Sequence, residues 1–409
     1  MLDHLRLRIP VLPPYSKEYG DDTWVFTGDM MDLGLILNGR SVSRRDDGSV
    51  RIGDLYAPYD EVGTDYSYMA VKFYHEARNC LPNLEIKASP NKLMQGHNVY
   101  GFESIRKGAR HMLSMVVDSY PELCKYLDFR NVEVMHFDCT YSARLPHQNL
   151  VQPMIDFLAN VRVGHRKANH VKFDNYITFN SQSNRYVSTK IYGKFEELKS
   201  QIDKYQKKAD TGCIRSKNLV VAMHDALKFS NALLRFEARI HKTYLSKNGY
   251  PTNLYDLIDH QEANPNFLKD MWGVSFNPIL NAIKGSDIML KNYDDDMILD
   301  ICKKHLTTIG TNGKRYETKA KNAFRLYSHL REFGFVKTKK LYSESSFYDN
   351  LNNLISCGFS RAFLQNLHQE KNTKVIPFTR LIEINFNEQL PPDYIEPVSQ
   401  YDDFNLKVA

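Results

Sequence analysis

The stretch Leu233 to Ile240 reads LLRFEARI and alternates between polar and apolar residues. Successive side chains of a strand point to opposite faces, so Arg235, Glu237 and Arg239 would share one face. Such a face is most often a solvated ladder of ion pairs, worth at most about 1 kcal/mol. The alternative is the floor of a site that holds a divalent cation and a phosphate.

Three other segments predict strands with a charged face. Glu85 and Lys87 share a face in LEIKAS, and Tyr192 and Lys194 share one in KIYGKFEE. In HFDCTYSAR the polar side would hold His136, Asp138, Thr140, Ser142 and Arg144. If these strands lie in one sheet, their polar faces pool carboxylates, an imidazole, cationic groups and a phenol.

That inventory is typical of metal-assisted phosphoryl transfer. Carboxylate oxygens, with or without an imidazole, bind Mg²⁺ or Mn²⁺, and arginine forks pair with phosphate oxygens. A tyrosine hydroxyl can attack phosphorus and form an ester, but its ordinary pKa of about 10 requires a nearby cation to favour the phenolate. Lys194 would either favour that phenolate or protonate the leaving oxygen. The pattern leaves Tyr176, Tyr186 and Tyr192 equally eligible as the nucleophile.

A rival interpretation uses the E-x-K pattern of Glu85 and Lys87 with an upstream acid such as Asp65. It resembles the core of restriction-type nucleases, which activate a metal-bound water rather than a tyrosine. The motif is three residues long and therefore weakly specific.

Length, cysteine usage and charge bound the class of protein. The chain of 409 residues predicts two or three domains, and no apolar run is long enough to span a bilayer. The six scattered cysteines contain no CxxC pair, which indicates reduced cytosolic thiols. Residues 162–247 hold 18 Lys and Arg against 7 Asp and Glu, and residues 303–340 hold 11 against 2. Two basic blocks favour a nucleic-acid partner.

Mixed strand and helix patterns predict an α+β fold, with an antiparallel-sheet catalytic region, flanking helices and a mainly helical C-terminal domain. The expected division is 1–161 for the N-terminal half of the catalytic region, 162–286 for its second half with the nucleophile hairpin and basic block, and 287–409 for a helical DNA-binding domain. An acidic linker near 287–300 would mark the last boundary.

Two segments of the last domain, ETKAKNAFRLYSHLREFGF and SESSFYDNLNNLISCGFS, predict a helix-turn-helix-like pair. Gly334 and Gly358 are the expected C-terminal stops, and Ser343 or Ser345 the N-cap. The second helix carries Phe347, Tyr348 and Asn350. A helical packing or dimerisation domain fits the pattern equally well, and the basic first helix favours DNA.

Three motifs carry a resemblance to a known family: LEIKASPNKLMQGHNVYG, FDCTYSARLP and LLRFEARI. They closely resemble the replication initiators of filamentous bacteriophages, the gene II proteins, and the similarity runs essentially end to end. The resemblance implies an enzyme that nicks the viral strand at the phage origin in the double-stranded replicative form. It would attach to the 5′ end through a tyrosine, leave a 3′-OH primer, and later join the ends of the displaced strand.

The resemblance also implies roles for individual residues. The family's Y-L-K-H stretch matches Tyr192-Gly193-Lys194-Phe195, which makes Tyr192 the nucleophile. Similarity to plasmid rolling-circle initiators, whose R-x-D and R-x-E strands hold the metal, implies Asp138 and Glu237 as ligands of Mg²⁺ or Mn²⁺. His136, which stands where that pattern has Arg, and Glu85 complete the candidate ligand set. Phosphate and DNA contacts are expected from Arg235, Arg239, Lys87, Arg144, Lys319, Lys321 and Arg325.

The expected partners are phage origin DNA, double- and single-stranded, and the host replication helicase and polymerase. The expected location is the host cytoplasm, without a membrane, and self-association on DNA stays open. The family also makes a shorter product from an internal start, for which Met289 and Met297 are both candidates. The alternatives are a hydrolytic metal-dependent nuclease and a non-catalytic origin-binding regulator.

Overall fold

The structure is a computed structural model of the chain. It describes residues 1–20, 22–30, 33–34, 40–44, 50–54, 59–159, 162–163, 166–169, 176–179, 186–283, 295–309, 315–368, 382 and 384–402. No helix in these ranges is both long enough and apolar enough to cross a membrane.

The strands in these ranges are β1 (Leu2–Pro10), β2 (Ser16–Glu18), β3 (Thr23–Phe26), β4 (Arg40–Arg44), β5 (Val50–Asp54), β6 (Asp60–Gly63), β7 (Tyr68–Tyr74), β8 (Glu76–Arg78), β9 (Asn83–Ala88), β10 (Glu133–Arg144), β11 (Arg162–Val163), β12 (Arg166–Asn169), β13 (Tyr176–Phe179), β14 (Val187–Gly193), β15 (Leu233–His241), β16 (Thr308–Ile309) and β17 (Arg315–Tyr316). Ten of them form one sheet in the order β11-β12-β13-β14-β15-β10-β1-β9-β7-β6. Neighbouring strands of this sheet run antiparallel.

The helices are α1 (Pro90–Gln95), α2 (Ile105–Ser119), α3 (Pro121–Cys124), α4 (Val151–Ala159), α5 (Lys194–Asp210), α6 (Ile214–Ser230), α7 (Lys242–Lys247), α8 (Leu254–Ala263), α9 (Phe267–Ile283), α10 (Asp295–Leu306), α11 (Thr318–Phe333), α12 (Phe335–Lys340), α13 (Glu344–Ser356) and α14 (Arg361–Asn366). The predicted α+β fold with a mainly helical C-terminal region is confirmed.

One face of the ten-stranded sheet builds the main hydrophobic core. The inward residues of β15 are fully buried at Phe236, Ala238 and Ile240, as period-two alternation requires. Helix α9 covers this face: Trp272 packs against Phe276 with ring centroids 5.0 Å apart, and donates its indole N–H to the Phe236 carbonyl at 3.0 Å. Helices α5 and α6 and the segment 95–100 border the opposite, polar face of the strands.

A β-bulge interrupts the pairing of β1 with β10. Leu2 pairs with Cys139 and His4 with Asp138, so Asp3 is the extra residue on β1. A bulge re-aims side chains and bends the strand locally. As a consequence, Asp3 points toward the polar face, whereas regular alternation would place it on the apolar face.

The C-terminal helices have a hydrophobic core of their own, built around Leu326, Phe347 and Leu354. Gly334 ends α11 at φ +77°, and the Ser343 hydroxyl caps α13 at the Ser346 amide, as predicted. The predicted turn between the two helices instead contains the short helix α12. Phe347 lies fully inside this core, so it supports the helix and cannot read DNA.

The expected acidic linker near 287–300 ends earlier than the composition indicated. Residues 284–294, including Met289, lie outside the described residues, and α10 already begins at Asp295. Asp295 and Asp296 occupy the first turn, where the positive end of the helix dipole stabilises carboxylates. Asp295 also pairs in a bidentate way with Arg331 of α11. Asp295 and Asp296 are therefore part of the first helix of the C-terminal region and not of a linker in front of it.

The C-terminal segment returns to the region of the ten-stranded sheet. The Gln389 side chain bridges the amide and carbonyl of Ser142 at 2.8 and 2.9 Å. Glu396 pairs with Lys107 at 2.7 Å, and Ser399 contacts His111 at 2.8 Å. Strands from both predicted halves of the catalytic region form the one sheet. The expected three-part division itself stays a prediction.

Candidate active site

The sheet register gathers the predicted polar residues on one face. Tyr192 of β14 pairs with Arg235 of β15, and Lys190 pairs with Glu237. On the other side of β15, Glu237 pairs with Thr140 of β10. Charged faces that the sequence placed on separate strands therefore lie next to one another.

Tyr192 is buried, with 6% of its surface exposed, and its hydroxyl donates to Glu237 Oε2 at 3.2 Å. Burial, reinforced by the negative charge of Glu237, raises the pKa of Tyr192 well above its ordinary value, and Arg235 opposes that rise. The phenol is therefore neutral at rest. A proton acceptor and a cation must act together before it can attack.

Glu237 has the properties of such an acceptor. Burial raises its pKa to about 7, and the nearby carboxylates of Asp3 and Asp138 add to that rise, while Lys190 and Arg235 oppose it. An acid with this pKa is ionised in a substantial fraction of molecules at neutral pH and still accepts a proton readily.

Asp3 is a site residue that the sequence analysis missed. Its oxygens accept from Asn98 at 2.7 Å and Thr140 at 3.3 Å, and Oδ2 lies 3.7 Å from Arg235. Burial raises the pKa of Asp3, but Arg235 and Lys194 more than offset it, so the net pKa lies below its ordinary value. The only signal in the sequence was a lone acid in an otherwise alternating strand.

Lys194 does not share the strand face with Tyr192, contrary to the predicted alternation, because β14 ends at Gly193 and Lys194 begins α5. Its buried ammonium donates to Asn98 at 2.8 Å and Glu197 at 2.5 Å, and burial lowers its pKa to about 8. The lysine on the face is Lys190, whose Nζ lies 4.5 Å from the Tyr192 ring centroid, against 5.9 Å for Lys194.

The two arginines of the opening motif differ in their availability. Arg239 grips both oxygens of Asp138 at 2.7 Å, and these hydrogen bonds raise its pKa. Arg235 is 1% exposed and donates to the Val99 carbonyl at 2.6 Å. Its Nε and Nη1 find no hydrogen-bond partner within the described residues. Arg235 thus has unused donors beside Tyr192, where a phosphate oxygen would be received.

His136 lies in a row of three imidazoles. Its ring stacks on His4 at 5.3 Å and tilts against His241 at 5.6 Å. Burial, with Arg239 adding to the effect, lowers the pKa of His136, so it is neutral. Its Nε2 has no hydrogen-bond partner in the described part of the chain.

Glu85 and Lys87 lie at the far end of the same face. Strand β9 is four strand spacings from β14, which corresponds to about 19 Å. Glu85 is 1% exposed, accepts from Arg6 at 2.5 Å, and accepts a second bond from the Tyr59 hydroxyl. Lys87 lies 3.5 Å over the Tyr59 ring. The structure does not bring this pair together with Tyr192.

The remaining predicted residues fall into three places. Arg144 donates to the Phe229 and Asn231 carbonyls at the C-terminal end of α6, so it caps that helix. Tyr176 faces Tyr192 across the β13–β14 pair, and the ring of Tyr186 is 42% exposed. Exposed positions on α11 hold Lys319, Lys321 and Arg325.

The donor chemistry around Thr140 fits a hard divalent cation. Asp3, Asp138 and Glu237 come from three adjacent strands, and carboxylate oxygens are ligands of Mg²⁺ and Mn²⁺. Their mutual repulsion, visible in the raised pKa of Glu237, is what a cation would relieve. In the described residues, no three His, Cys, Asp or Glu side chains converge on one point as a formed metal site. The oxygens are directed instead at Arg239, Asn98 and Tyr192.

Comparisons with known proteins identify the family of the chain. Two family models of the phage replication-associated protein match the chain, the N-terminal model over residues 1–263 and the C-terminal model over residues 311–400. The replication-associated proteins of Enterobacteria phages fd and M13 are each 32% identical over 97% of this chain and 99% of their own. That of Salmonella phage IKe is 30% identical over 99% of both chains. No solved structure matches. The chain belongs to the replication-associated protein family of the filamentous phages.

Proposed function

We propose that the protein is the rolling-circle initiator of a filamentous phage. It binds the origin and nicks the viral strand of the double-stranded replicative form through a 5′-phosphotyrosine at Tyr192. It leaves a 3′-OH for the host polymerase and rejoins the displaced strand into a circle. The observation that carries this proposal is the Tyr192 hydroxyl, buried beside cationic groups and bonded to a carboxylate of raised pKa.

In the nicking step, the Tyr192 oxygen attacks phosphorus while its proton passes to Glu237 Oε2. The bond from phosphorus to O3′ breaks, and O3′ leaves as a hydroxyl after taking up a proton. Arg235 receives a phosphate oxygen on its unused donors, and Lys190 stabilises the negative charge on the phenol. Lys194, whose pKa is about 8, is the proton donor to O3′ in this account.

Asp3, Asp138 and Glu237 would hold Mg²⁺ or Mn²⁺, with His136 at the edge of the set. The cation polarises a phosphoryl oxygen when bound. Both oxygens of Asp138 accept hydrogen bonds from Arg239, so Asp138 would be available to a cation only if that arginine turned to the DNA. Exchange of the Arg239 partner from Asp138 to phosphate would therefore couple DNA binding to metal binding.

A phosphotyrosine explains why this chemistry suits rolling-circle replication. Hydrolysis discards the energy of the phosphodiester bond, whereas the tyrosyl ester conserves it. A later 3′-OH attacks the same phosphorus, Tyr192 leaves, and the strand is sealed without a nucleotide cofactor. The buried ester would also be protected from water.

The C-terminal domain would supply origin affinity. Lys319, Lys321 and Arg325 project from α11 into solvent, which suits contacts to phosphate. We also propose that the protein works in the host cytoplasm with the host helicase and polymerase. Self-association on DNA is part of the same proposal. For the shorter product, a start at Met297 falls inside α10 and would delete Asp295, which pairs with Arg331. We therefore favour Met289.

Two other functions have less support. A hydrolytic nuclease built on Glu85 would require a carboxylate whose two oxygens are already held by Arg6 and Tyr59. A purely regulatory DNA-binding protein would have no use for a buried Tyr192–Glu237 pair.

The test uses supercoiled plasmid with the phage origin, internally labelled DNA and Mg²⁺. We expect nicked circles and label that stays on the protein after denaturation. Nicking with a free 5′-phosphate and no label on the protein would favour hydrolysis. Salt-dependent binding without a strand break would favour the regulator.

A further inference from the structure

A cleft of about 510 Å³ opens next to the active site, on the far side of the segment that follows α1. Its walls include Tyr66, Gln95, Tyr100, Asn218 and Asp225. Its size lies within the range of about 300–1,000 Å³ that is usual for small-molecule sites. Its lining combines aromatic rings with amide and carboxylate groups.

One wall of the cleft comes from one side of α6. Asn218, Val221 and Asp225 follow each other at three- and four-residue spacing, so they share one helix face. All three are exposed, and Val221 keeps 64% of its surface in contact with solvent. This face is open to a ligand in the chain as it stands.

The opposite wall is held close by a glycine. Gly96 has φ +80°, and a Cβ at this position would meet the Ala222 methyl at 2.9 Å and the Tyr66 ring at 3.0 Å. The Gln95 amide fixes the same turn by donating to the carbonyls of His97 and Tyr100. The cleft is therefore a built feature rather than a loose gap.

The same segment forms the wall of the active site. Next to His97, which lines the cleft, Asn98 accepts from Lys194 at 2.8 Å and donates to Asp3 at 2.7 Å. Val99 accepts from Arg235 at 2.6 Å. The cleft and the site around Tyr192 therefore share one wall, the segment 95–100.

We propose that this cleft binds one unstacked nucleobase of the single strand beside the cleaved phosphate, and so contributes to the choice of cleavage position. The proposal rests on the proposed nicking function. Stacking on tyrosine is a general way to hold single-stranded bases, and amide and carboxylate groups read base edges. A carboxylate accepts hydrogen bonds and repels carbonyl oxygens. Asp225 therefore favours a base with an amino group over thymine, whose single N–H donor lies between two carbonyl oxygens.

The experiment measures binding of a labelled single-stranded oligonucleotide from the origin by fluorescence anisotropy, with an abasic site placed at each position around the nick. We expect one position near the nick where the abasic site weakens wild-type binding about tenfold. In Asn218→Ala and Asp225→Ala, the intact strand should bind more weakly, and the abasic penalty at that position should fall below about twofold. Replacing the base by thymine should weaken wild-type binding but not that of Asp225→Ala.

The matched control is His224→Ala, an exposed residue of α6 that does not line the cleft, which should behave as wild type. The cleft proposal is overturned if no position shows a penalty, or if the penalties are the same in the wild type and the two cleft variants. The adduct assay with wild-type protein separates the two ideas. If the wild-type protein forms no adduct, the proposed nicking function is wrong. The binding data test only whether the cleft holds a base.

Discussion

Two ends of one sheet face carry the same three residue types in nearly the same arrangement. At one end, the Tyr192 hydroxyl donates to Glu237 and the Lys190 ammonium lies 4.5 Å from the tyrosine ring. At the other end, the Tyr59 hydroxyl donates to a glutamate and a lysine lies 3.5 Å from the ring. Residue types and spacing therefore do not separate a reactive site from a structural one.

The neighbours of each glutamate make the difference. Glu85 is paired with Arg6 at 2.5 Å, so its charge is compensated. Burial raises the pKa of Glu237 to about 7, and two nearby carboxylates, Asp3 and Asp138, add to that rise. A compensated pair stabilises the fold and is inert, whereas an uncompensated acid can accept a proton or a cation. We therefore propose that the chemistry belongs to the end where the charges are not balanced.

The largest expected effect separates the two tyrosines. Tyr192→Phe should lower the yield of covalent protein–DNA adduct by at least about a thousandfold, because the attacking oxygen is gone. Tyr59→Phe should keep adduct formation within a few-fold of wild type. The measurement is label transfer from origin DNA to denatured protein. Equal loss in the two variants would erase the distinction between the two ends.

A second contrast concerns the two glutamates. Glu237→Gln should slow single-turnover nicking by about a hundredfold or more, since removal of a general base typically costs about 10²–10⁴-fold. Glu85→Gln should slow it by less than about threefold when measured on the folded fraction. An inactive Glu85→Gln protein that is fully folded would support the hydrolytic interpretation instead.

The same two substitutions should have opposite effects on stability. Glu85→Gln leaves Arg6 without its partner and should lower the free energy of unfolding by about 2 kcal/mol, less than for a fully buried pair because Arg6 is partly exposed. Glu237→Gln should raise it by about 1 kcal/mol at pH 8. Chemical denaturation at that pH measures both. A loss of stability in both variants would mean that Glu237 is a structural acid as well.

The pH dependence of nicking should follow Glu237. The pKa of Glu237 is about 7 without a divalent cation, and a bound cation would lower it. Below the pKa that Glu237 has in the reacting complex, the carboxyl is protonated and cannot accept the Tyr192 proton, so the rate should fall about tenfold per pH unit. The contribution of Glu237 to the free energy of unfolding has the opposite pH dependence. The folded acid holds a proton that the unfolded chain releases above about pH 4.5, so its contribution to stability decreases as pH rises toward 7. A flat rate profile from pH 5 to 8 would exclude Glu237 as the proton acceptor.

Much of the fold could be predicted because its strands obey simple alternation. Strands β10 and β15 lie where the polar and apolar periods placed them. The register that brings Glu237 beside Tyr192 depends on long-range pairing, which no local pattern contains. The sequence therefore predicted most members of the polar face but not which of them lie next to one another.

The errors have local physical causes. Lys194 was placed on the strand face because the alternation seemed to continue, but Gly193 ends β14 and turns the chain into α5. Asp3 was missed because a bulge shifts the period by one residue. Arg144 was expected to bind phosphate because of its charge, but it caps α6 by donating to the Phe229 and Asn231 carbonyls. Each outcome depends on a chain turn or a distant carbonyl rather than on residue type.

The most direct test of the central claim is to locate the covalent bond itself. Wild-type adduct, formed on origin DNA with Mg²⁺, would be digested with nuclease and protease and the modified peptide sequenced by mass spectrometry. We expect a nucleotide phosphate on the peptide that contains Tyr192. A phosphate on Tyr59, Tyr176 or any other residue would contradict the assignment of the unbalanced end of the sheet face as the reactive site.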